Sequence, residues 1–286
     1  MSSTLLQAWT GARDRLKGAG IDSPVIDSRL LVEAACNARR IDLVTDPYRL
    51  VSDEQVALLE SYLARRERRE PVSRILGAKG FWKIMLRVTP DVLTPRPDTE
   101  TVLDVVLAAF DEHRRFRVLD LGVGSGAILL AILAERPLAR GLGIDVSEEA
   151  LAVARDNAGS LGLEDRAALL RSDWTAGIED DEFDLVVSNP PYIPSAVIET
   201  LEPEVRDHEP RLALDGGADG LDAYRFLAPE ILRVLRPGGL FAVEIGFDQS
   251  EAVEALFRAA GAEEVKTTKD LGVRDRVVSG RKPPSK

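Results

Sequence analysis

The sequence is poor in the residues that form disulfides and bind zinc, with one cysteine, Cys36, and two histidines. A single cysteine excludes a disulfide within the chain, and two histidines add too few ligands for a zinc site, so we expect no metal. No run of about 20 apolar residues is present that could cross a bilayer. The N-terminus also lacks the apolar segment and small-residue cleavage site of a signal peptide. We therefore expect a cytoplasmic protein with no membrane association.

Positive charge is also scarce, because 37 Lys and Arg face 48 Asp and Glu, giving a net charge of −11. Proteins that hold nucleic acid without sequence preference need a basic surface, so stable nucleic-acid binding is not expected. One basic stretch departs from this pattern, formed by Arg65, Arg66, Arg68, Arg69, Arg74, Lys79, Lys83 and Arg87. It is either a solvated helix face or a docking surface for an acidic macromolecule.

The 286 residues predict two domains and a linker. Residues 1–78 show apolar positions at helical spacing and predict a small all-α bundle. In residues 79–97, the alternation from position 81 to 93, broken at 89–91, predicts a hairpin linker. Residues 98–286 alternate strands with helices, which predicts an α/β fold with a doubly wound, Rossmann-like sheet. Asp98 is the predicted N-cap of the first helix there.

The predicted sheet is mainly parallel with an antiparallel edge. A helix over 224–235 is expected to end at the Arg-Pro-Gly-Gly segment 236–239, before a strand over 240–245. Two further strands joined by a turn, at 265–269 and 275–279, predict the antiparallel pair. The other strands are expected at 117–121, 141–145, 167–171 and 183–188.

A glycine-rich turn follows the first of these strands, with glycines at Gly122, Gly124 and Gly126 separated by Val123 and Ser125. Ligands of a doubly wound sheet bind beyond the carboxyl ends of its strands, where this turn lies. Glycine permits close backbone approach, but the GxGxG spacing differs from the GxGxxG of dinucleotide folds. The turn predicts either a site for a nucleotide or S-adenosylmethionine, or an ordinary strand–helix connection.

The next two strand ends add adenosine-type contacts. Asp145 ends the second strand, where a carboxylate can accept both ribose hydroxyls. After the third strand, Asp173 can bind the adenine amino group and Trp174 can cover the ring. Alternatively, Asp145 caps the following helix and Trp174 is a core aromatic.

The fourth strand ends in Asn189-Pro190-Pro191-Tyr192, which indicates methyl transfer to a planar amino nitrogen. Such a nitrogen is a poor nucleophile, so two acceptors that hold its N–H bonds help it to pyramidalise. The Asn189 side-chain oxygen and the Pro190 carbonyl oxygen are the expected acceptors, and Tyr192 is expected to lie against the planar group. Proline restricts φ and removes competing donors. The rate would come from alignment and placed dipoles rather than from a strong base.

These motifs resemble the HemK-type release-factor glutamine methyltransferases along the whole chain. The matching segments are residues 94–100 (TPRPDTE), 119–128 (LDLGVGSGAI), 188–193 (SNPPYI), 209–214 (EPRLAL) and 244–246 (EIG). Adenine-N6 methyltransferases share the tetrapeptide, whereas the first and fourth segments are specific to the family. Val123 departs from the family pattern, in which threonine is usual.

The resemblance implies methylation of the glutamine amide in the Gly-Gly-Gln loop of class 1 peptide chain release factors, with the helical bundle helping to hold the partner. The donor is S-adenosyl-L-methionine, which becomes S-adenosyl-L-homocysteine. The residues from Gly122 to Gly126, with Asp145, Asp173, Trp174 and Asn189, would bind it. Residues 189–192 would hold the glutamine, and Arg96 and Glu100 would line the site.

The sequence does not fix the oligomeric state, and we favour a monomer. Three alternatives remain open at this point. One is a methyltransferase for a ribosomal-protein glutamine, and another is a nucleic-acid adenine-N6 methyltransferase, which would have to flip its base. The third is a dehydrogenase or an inert binding module on the same fold.

Overall fold

The computed structural model describes residues 3–285. Their contacts divide the chain into two compact units. The first contains the described residues up to Ala78 together with Glu202–His208, and the second contains the remainder. The sequence did not predict that a segment from the second half of the chain would belong to the first unit. No helix in the described part is both long and apolar enough to cross a membrane.

The first unit is helical, as predicted. Its helices are α1 (Leu5–Gly18), α2 (Pro24–Ala35), α3 (Asp42–Thr45), α4 (Asp53–Glu67) and α5 (Val72–Leu76), with α10 (Pro203–Arg206) from the returning segment. A capping box starts α4, where the Ser52 hydroxyl accepts from Gln55 N and the Gln55 side chain accepts from Ser52 N. Leu5, Leu16 and Leu31 are fully buried at the centre of the unit's core. Local capping and a shared apolar face therefore explain these helices.

The predicted hairpin occurs earlier in the chain than the sequence indicated. The strands β1 (Ala78–Phe81) and β2 (Ile84–Arg87) form a two-stranded sheet. Trp82, between them, has a left-handed φ of 52°. The segment at 89–91, predicted as the turn, follows the hairpin. The alternation around it arises because Val88 and Val92 are buried in a small separate cluster.

The second unit is built on seven strands: β3 (Arg117–Leu121), β4 (Arg140–Asp145), β5 (Ala167–Arg171), β6 (Phe183–Ser188), β7 (Leu235–Glu244), β8 (Glu263–Lys269) and β9 (Asp275–Arg281). Their order in the sheet is β5-β4-β3-β6-β7-β9-β8. The strands from β5 to β7 pair in parallel, and β9 is antiparallel to both β7 and β8. The prediction of a mainly parallel sheet with an antiparallel edge is confirmed.

Helices cover the sheet on both faces. The helices of this unit are α6 (Glu100–Ala109), α7 (Ala127–Glu135), α8 (Glu148–Ser160), α9 (Ser195–Ile198), α11 (Asp222–Val234) and α12 (Ser250–Ala259). Successive strand residues contribute to different cores. Val118 and Leu185 are fully buried in one cluster, while Leu119 and Val186 are fully buried in the other. Burial on both faces explains the nearly continuous apolar sequence of β3 and β6.

Two local predictions were wrong. The Arg-Pro-Gly-Gly segment does not end a helix, because α11 ends at Val234 and the segment lies inside β7. Gly238 N donates to Lys282 O, and Lys282 N donates to Gly239 O, so the glycines form a bulge that pairs with the end of the chain. Asp98 does not cap α6 either. It lies in the 3₁₀ turn Pro97–Thr99, and its side chain pairs with Arg276 at 3.3 Å.

Candidate functional site

A cavity of about 330 Å³ opens at the carboxyl ends of the central parallel strands. This is the edge of a doubly wound sheet at which ligands bind. The residues around it that the sequence had singled out are Gly122, Val123, Gly124, Ser125, Asp145, Asp173, Trp174, Asn189, Pro190, Pro191 and Arg96. Gly126, Tyr192 and Glu100 are not among its lining residues. The structure therefore brings most of the predicted site together around one cavity.

The glycine turn connects β3 to α7 through left-handed backbone. Gly122, Gly124 and Gly126 have φ values of 75°, 52° and 85°, a region that side chains disfavour. Gly122 N and Val123 N both donate to Ile144 O, which fixes the turn against β4. Gly126 has a packing role in addition, because a Cβ there would lie 2.7 Å from Leu130 Cδ1.

Asp145 is at the end of β4 and supports the turn. Its Oδ2 accepts from Gly124 N at 2.9 Å, and its Oδ1 accepts from Ser147 N at 3.0 Å. Ser147, not Asp145, is the N-cap of α8, since its side chain accepts from Ala150 N. The capping alternative for Asp145 is therefore wrong. Each carboxylate oxygen keeps a lone pair for a further donor on the cavity side.

Trp174 is both a cavity residue and a partly buried core aromatic, so features of both sequence interpretations are present. It lines the cavity and also packs, half-buried, against the core on one face of the sheet. Its φ of 51° is left-handed, which is uncommon for a bulky residue. Asp173, directly before it, lines the cavity and is exposed.

Asp120 is a cavity residue to which the sequence analysis gave no role. It is 1% exposed, its Oδ2 accepts from Leu129 N at 3.1 Å, and its Oδ1 has no hydrogen-bond partner among the described residues. Burial, reinforced by the nearby Asp145 carboxylate, raises the pKa of Asp120 to about 7. A buried acceptor without a partner is costly, so Asp120 offers the cavity a site for a donor or a cation.

The tetrapeptide contributes three of its residues to the cavity wall. The Asn189 side chain donates from Nδ2 to Thr99 Oγ1 at 3.4 Å. Within residues 3–285, neither Asn189 Oδ1 nor Pro190 O accepts a hydrogen bond. The two oxygens predicted to hold an amide nitrogen therefore have no donor among the described residues, and both residues line the cavity.

Tyr192 lies behind this wall. Its hydroxyl donates to Glu244 Oε1 at 3.2 Å, and its carbonyl oxygen accepts from Gln249 Nε2 at 2.9 Å. Burial raises the pKa of the Tyr192 phenol above its usual value, and the Glu244 carboxylate adds to the effect. Its predicted contact with a planar substrate group stays a prediction.

Glu244 ends β7 and is 1% exposed. Burial raises the pKa of its carboxyl to about 7, against the opposing effects of the Thr99 hydroxyl, Arg276 and Tyr192. Its Oε2 has no hydrogen-bond partner in the described part of the chain. Glu244 and Thr99 both occur in the motifs that carry the family resemblance, and this was the one sequence signal for them.

Arg96 joins the two family-specific segments. Its Nη2 lies 3.0 Å from Glu209 Oε1, and Glu209 Oε2 accepts from Thr94 N at 3.1 Å. Glu100 instead accepts from Trp82 N at 2.7 Å and supports the turn of the hairpin. Glu100 is not among the lining residues of the cavity, and the expectation that it lines the site stays a prediction.

The basic stretch is largely neutralised by ion pairs within each unit. Arg66 is buried and pairs with Asp27 at 2.8 Å and with Glu204 at 3.0 Å. In the second unit, Lys83 pairs with Glu135 at 2.7 Å. Neither interpretation given from the sequence applies to all eight residues. No cluster of three or more His, Cys, Asp or Glu arranged for a metal ion occurs among residues 3–285.

Comparison with known proteins gives matches along the whole chain. Residues 7–77 match the family described as PrmC N-terminal domain, and residues 97–202 match the methyltransferase small domain. The chain is 70% identical over 284 residues to a protein of Caulobacter vibrioides called release factor glutamine methyltransferase, covering 99% of this chain and 98% of the relative. A Rhodospirillum rubrum protein of the same name is 48% identical over 268 residues, covering 94% of this chain and 82% of the relative.

The solved structures support the fold. A methyltransferase from Pyrococcus furiosus superposes with a TM-score of 0.53 at 20% identity, covering 69% of this chain and 88% of that one. At this identity the likeness concerns the fold alone.

Proposed function

Because this chain belongs to the release factor glutamine methyltransferase family, we propose that it methylates the side-chain amide nitrogen of the glutamine in the Gly-Gly-Gln loop of class 1 peptide chain release factors. The observation that carries the proposal is the pair of acceptors on the cavity wall, Asn189 Oδ1 and Pro190 O. Both residues follow β6 directly and line the same cavity as the glycine turn. An NH₂ group has two N–H bonds, and two acceptors match it.

The cavity fits S-adenosyl-L-methionine as the methyl donor. The left-handed turn at Gly122 and Gly124 leaves room for close approach to the backbone, and Asp145 can accept from the ribose hydroxyls. We assign Asp173 and Trp174 to the adenine, and the buried, unpartnered Asp120 Oδ1 to the amino group of the methionine portion. When bound, the sulfonium supplies an electrophilic methyl group, and S-adenosyl-L-homocysteine is the product.

The protein's contribution to the reaction is orientation. Asn189 Oδ1 and Pro190 O each accept one N–H bond of the glutamine amide and so turn its lone pair toward the methyl group. A bond forms between the nitrogen and the methyl carbon as the bond between carbon and sulfur breaks. The nitrogen then releases one proton to solvent. No strong base is needed, because alignment supplies most of the rate.

The partner and location follow from this substrate. We assign residues 1–78 to binding of the release factor, residues 79–97 to a linker, and residues 98–286 to methyl transfer. The enzyme would act in the cytoplasm, where translation takes place, and as a monomer.

Transfer of a labelled methyl group tests the proposal. The enzyme is incubated with labelled donor and, separately, with purified release factor, ribosomal particles, RNA and DNA. We expect label in the release factor, located by mass spectrometry on the glutamine of the Gly-Gly-Gln loop. Label in a ribosomal protein or in a nucleic acid would instead support one of the two alternative methyltransferases.

Asn189→Ala is the matching variant for the same assay. Loss of one placed acceptor is expected to lower turnover by about 10²–10³, by analogy with oxyanion-hole donors, and to change donor affinity by a few-fold at most. Near-normal turnover of this variant would contradict the role of Asn189.

A further inference from the structure

The two ends of the Asn189 amide must be distinguished for the proposed reaction to work. The carbamoyl group is nearly symmetric in shape, but one end accepts hydrogen bonds and the other donates them. If Nδ2 faced the substrate NH₂, donors would face donors. The active site therefore needs a structural feature that fixes which end of this side chain points into the cavity.

Thr99 is in contact with the Nδ2 end of the Asn189 side chain, and both residues line the cavity. Its Oγ1 accepts from Asn189 Nδ2 at 3.4 Å, a long hydrogen bond between residues 90 positions apart. Thr99 is 4% exposed, so water competes little for its hydroxyl. Its backbone is fixed by the 3₁₀ turn Pro97–Thr99 before α6.

A threonine hydroxyl alone would not distinguish the ends, because it can donate or accept. A buried acceptor for the hydroxyl proton would remove this ambiguity, and Glu244 offers one. The Thr99 hydroxyl lowers the pKa of the Glu244 carboxyl, as a donor to its ionised form does. Glu244 Oε1 already accepts from Tyr192, while Oε2 has no hydrogen-bond partner among the described residues.

We propose that Thr99 and Glu244 are positioning residues that fix the Asn189 amide in its productive orientation. The Thr99 hydroxyl donates a hydrogen bond to the Glu244 carboxylate, so its oxygen accepts from the Asn189 side chain. Asn189 Nδ2 is thereby held at Thr99, and Oδ1 is left to face the substrate. This inference rests on the proposed methylation of an amide.

The proposed orientation depends on Glu244 being ionised. A protonated Glu244 could donate to Thr99 and so permit the reversed orientation of Asn189. The groups that face this carboxylate are Arg276 from β9, Asp98 before α6, and Tyr192, while the Tyr224 hydroxyl of α11 donates to the Glu244 carbonyl oxygen at 2.7 Å. Arg276 favours the ionised form, whereas burial and Asp98 oppose it. Turnover should therefore fall as the pH is lowered through about 7.

Three threonine variants test the proposal. Thr99→Val keeps the shape and removes the hydroxyl, Thr99→Ser keeps the hydroxyl, and Thr101→Val is the control at a threonine of similar burial. We expect Thr99→Val to lower kcat by roughly 10- to 100-fold, the effect of one lost buried hydrogen bond, with donor affinity unchanged by calorimetry. Thr99→Ser and Thr101→Val should stay within about three-fold of the wild type. A Thr99→Val enzyme with normal kcat, or a Thr99→Ser enzyme equally impaired, would overturn the proposal.

The pH profile tests the second residue. Glu244→Gln cannot ionise, so its kcat should be reduced at high pH and should lose the acidic limb near pH 7 that the wild type shows. An unchanged limb in this variant would contradict the role of Glu244.

A measurement without substrate separates this inference from the proposed function. The side-chain NH₂ resonance of Asn189, assigned by its absence in Asn189→Ala, reports the hydrogen bond to Thr99 in the enzyme alone. We expect it to shift and to exchange faster with solvent in Thr99→Val, and to be unaffected in Thr101→Val. An unchanged resonance in Thr99→Val would refute the positioning role, whereas failure to methylate a release factor would refute the function.

Discussion

Asp145 uses both carboxylate oxygens for backbone donors, Gly124 N and Ser147 N, and still has lone pairs for the ribose of a bound donor. We predict that Asp145→Ala weakens S-adenosylmethionine binding by about 1–3 kcal/mol, through loss of charge-assisted hydrogen bonds. Isothermal titration calorimetry measures this directly. Asp165→Ala, at an exposed acidic residue outside the cavity lining, is the control. Unchanged affinity of the Asp145 variant would contradict the assignment.

Asp120 illustrates a conflict between stability and binding at one residue. Its folded-state pKa of about 7 lies above the ordinary aspartate pKa of 3.8, so the ionised form destabilises the folded protein at high pH. This cost shrinks as the pH falls from 7 toward 4 and is absent below both pKa values. We predict that Asp120→Asn raises the free energy of unfolding at pH 8 by at least about 1 kcal/mol and weakens donor binding.

Thermal unfolding at several pH values, together with calorimetry, checks this prediction. At pH 8, the Tm of Asp120→Asn should exceed that of the wild type by about 2–4 °C for each 1 kcal/mol of added unfolding free energy. This difference should decrease toward pH 5. A destabilised variant with unchanged affinity at pH 8 would show that Asp120 supports the turn and does not bind the donor.

The sequence predicted the site residues that belong to short continuous motifs. The glycine turn and the tetrapeptide could be predicted because each is a short run after an apolar strand. The links from Thr99 to Asn189 and from Tyr192 to Glu244 join residues far apart in the chain. No local pattern reports such a contact, so the roles of Thr99, Glu244 and Asp120 required the structure.

At the scale of elements, two glycines of the turn have different structural roles: Gly126 is constrained by packing and Gly124 lines the cavity. Gly126, at the start of α7, has φ 85° and would place a Cβ 2.7 Å from Leu130 Cδ1, whereas a Cβ on Gly124 would have no atom within 4 Å. We predict that Gly126→Ala lowers the free energy of unfolding by roughly 2–4 kcal/mol, from left-handed strain plus overpacking. Gly124→Ala should cost about 1–2 kcal/mol and should weaken donor binding, since Gly124 lines the cavity.

Chemical denaturation and calorimetry on both variants separate these effects. Equal stability losses at the two positions would mean that packing against Leu130 contributes nothing to the difference.

Most element positions followed from the sequence, because buried parallel strands and amphipathic helices have distinct periodicities. The failures occurred where tertiary pairing overrides local signals. The glycines after Arg236 look like a helix stop, but they pair with Lys282 and extend β7. Aspartate is a favoured N-cap residue, but the carboxylate of Asp98 pairs with Arg276 of β9 instead.

At the scale of the whole molecule, the first unit contains a segment that returns from the second half of the chain. Arg66, 7% exposed in its side chain, pairs with Asp27 and with Glu204. We predict that Arg66→Ala lowers the free energy of unfolding by about 3–5 kcal/mol, because Asp27 loses its counter-charge and Glu204 keeps only its pair with Arg69 at 3.3 Å. Arg39→Ala, at a side chain that is 82% exposed, should cost less than about 1 kcal/mol. Denaturant titration of both variants checks the contrast, and a small effect of Arg66→Ala would contradict it.

Composition anticipated the molecule's general character but not this organisation. The net charge of −11 argued against stable binding of nucleic acid, and the alternation of strands and helices predicted the sheet. That Glu202–His208 belongs with the first unit could not be predicted, because a segment of seven residues carries no periodic signal that assigns it to a unit.

A crystal structure with S-adenosyl-L-homocysteine and a Gly-Gly-Gln peptide tests the central claim most directly. The account predicts the glutamine nitrogen within about 2.7–3.2 Å of both Asn189 Oδ1 and Pro190 O, with its free face toward the sulfur atom. A glutamine amide bound elsewhere, or turned so that its oxygen faces these two acceptors, would contradict it.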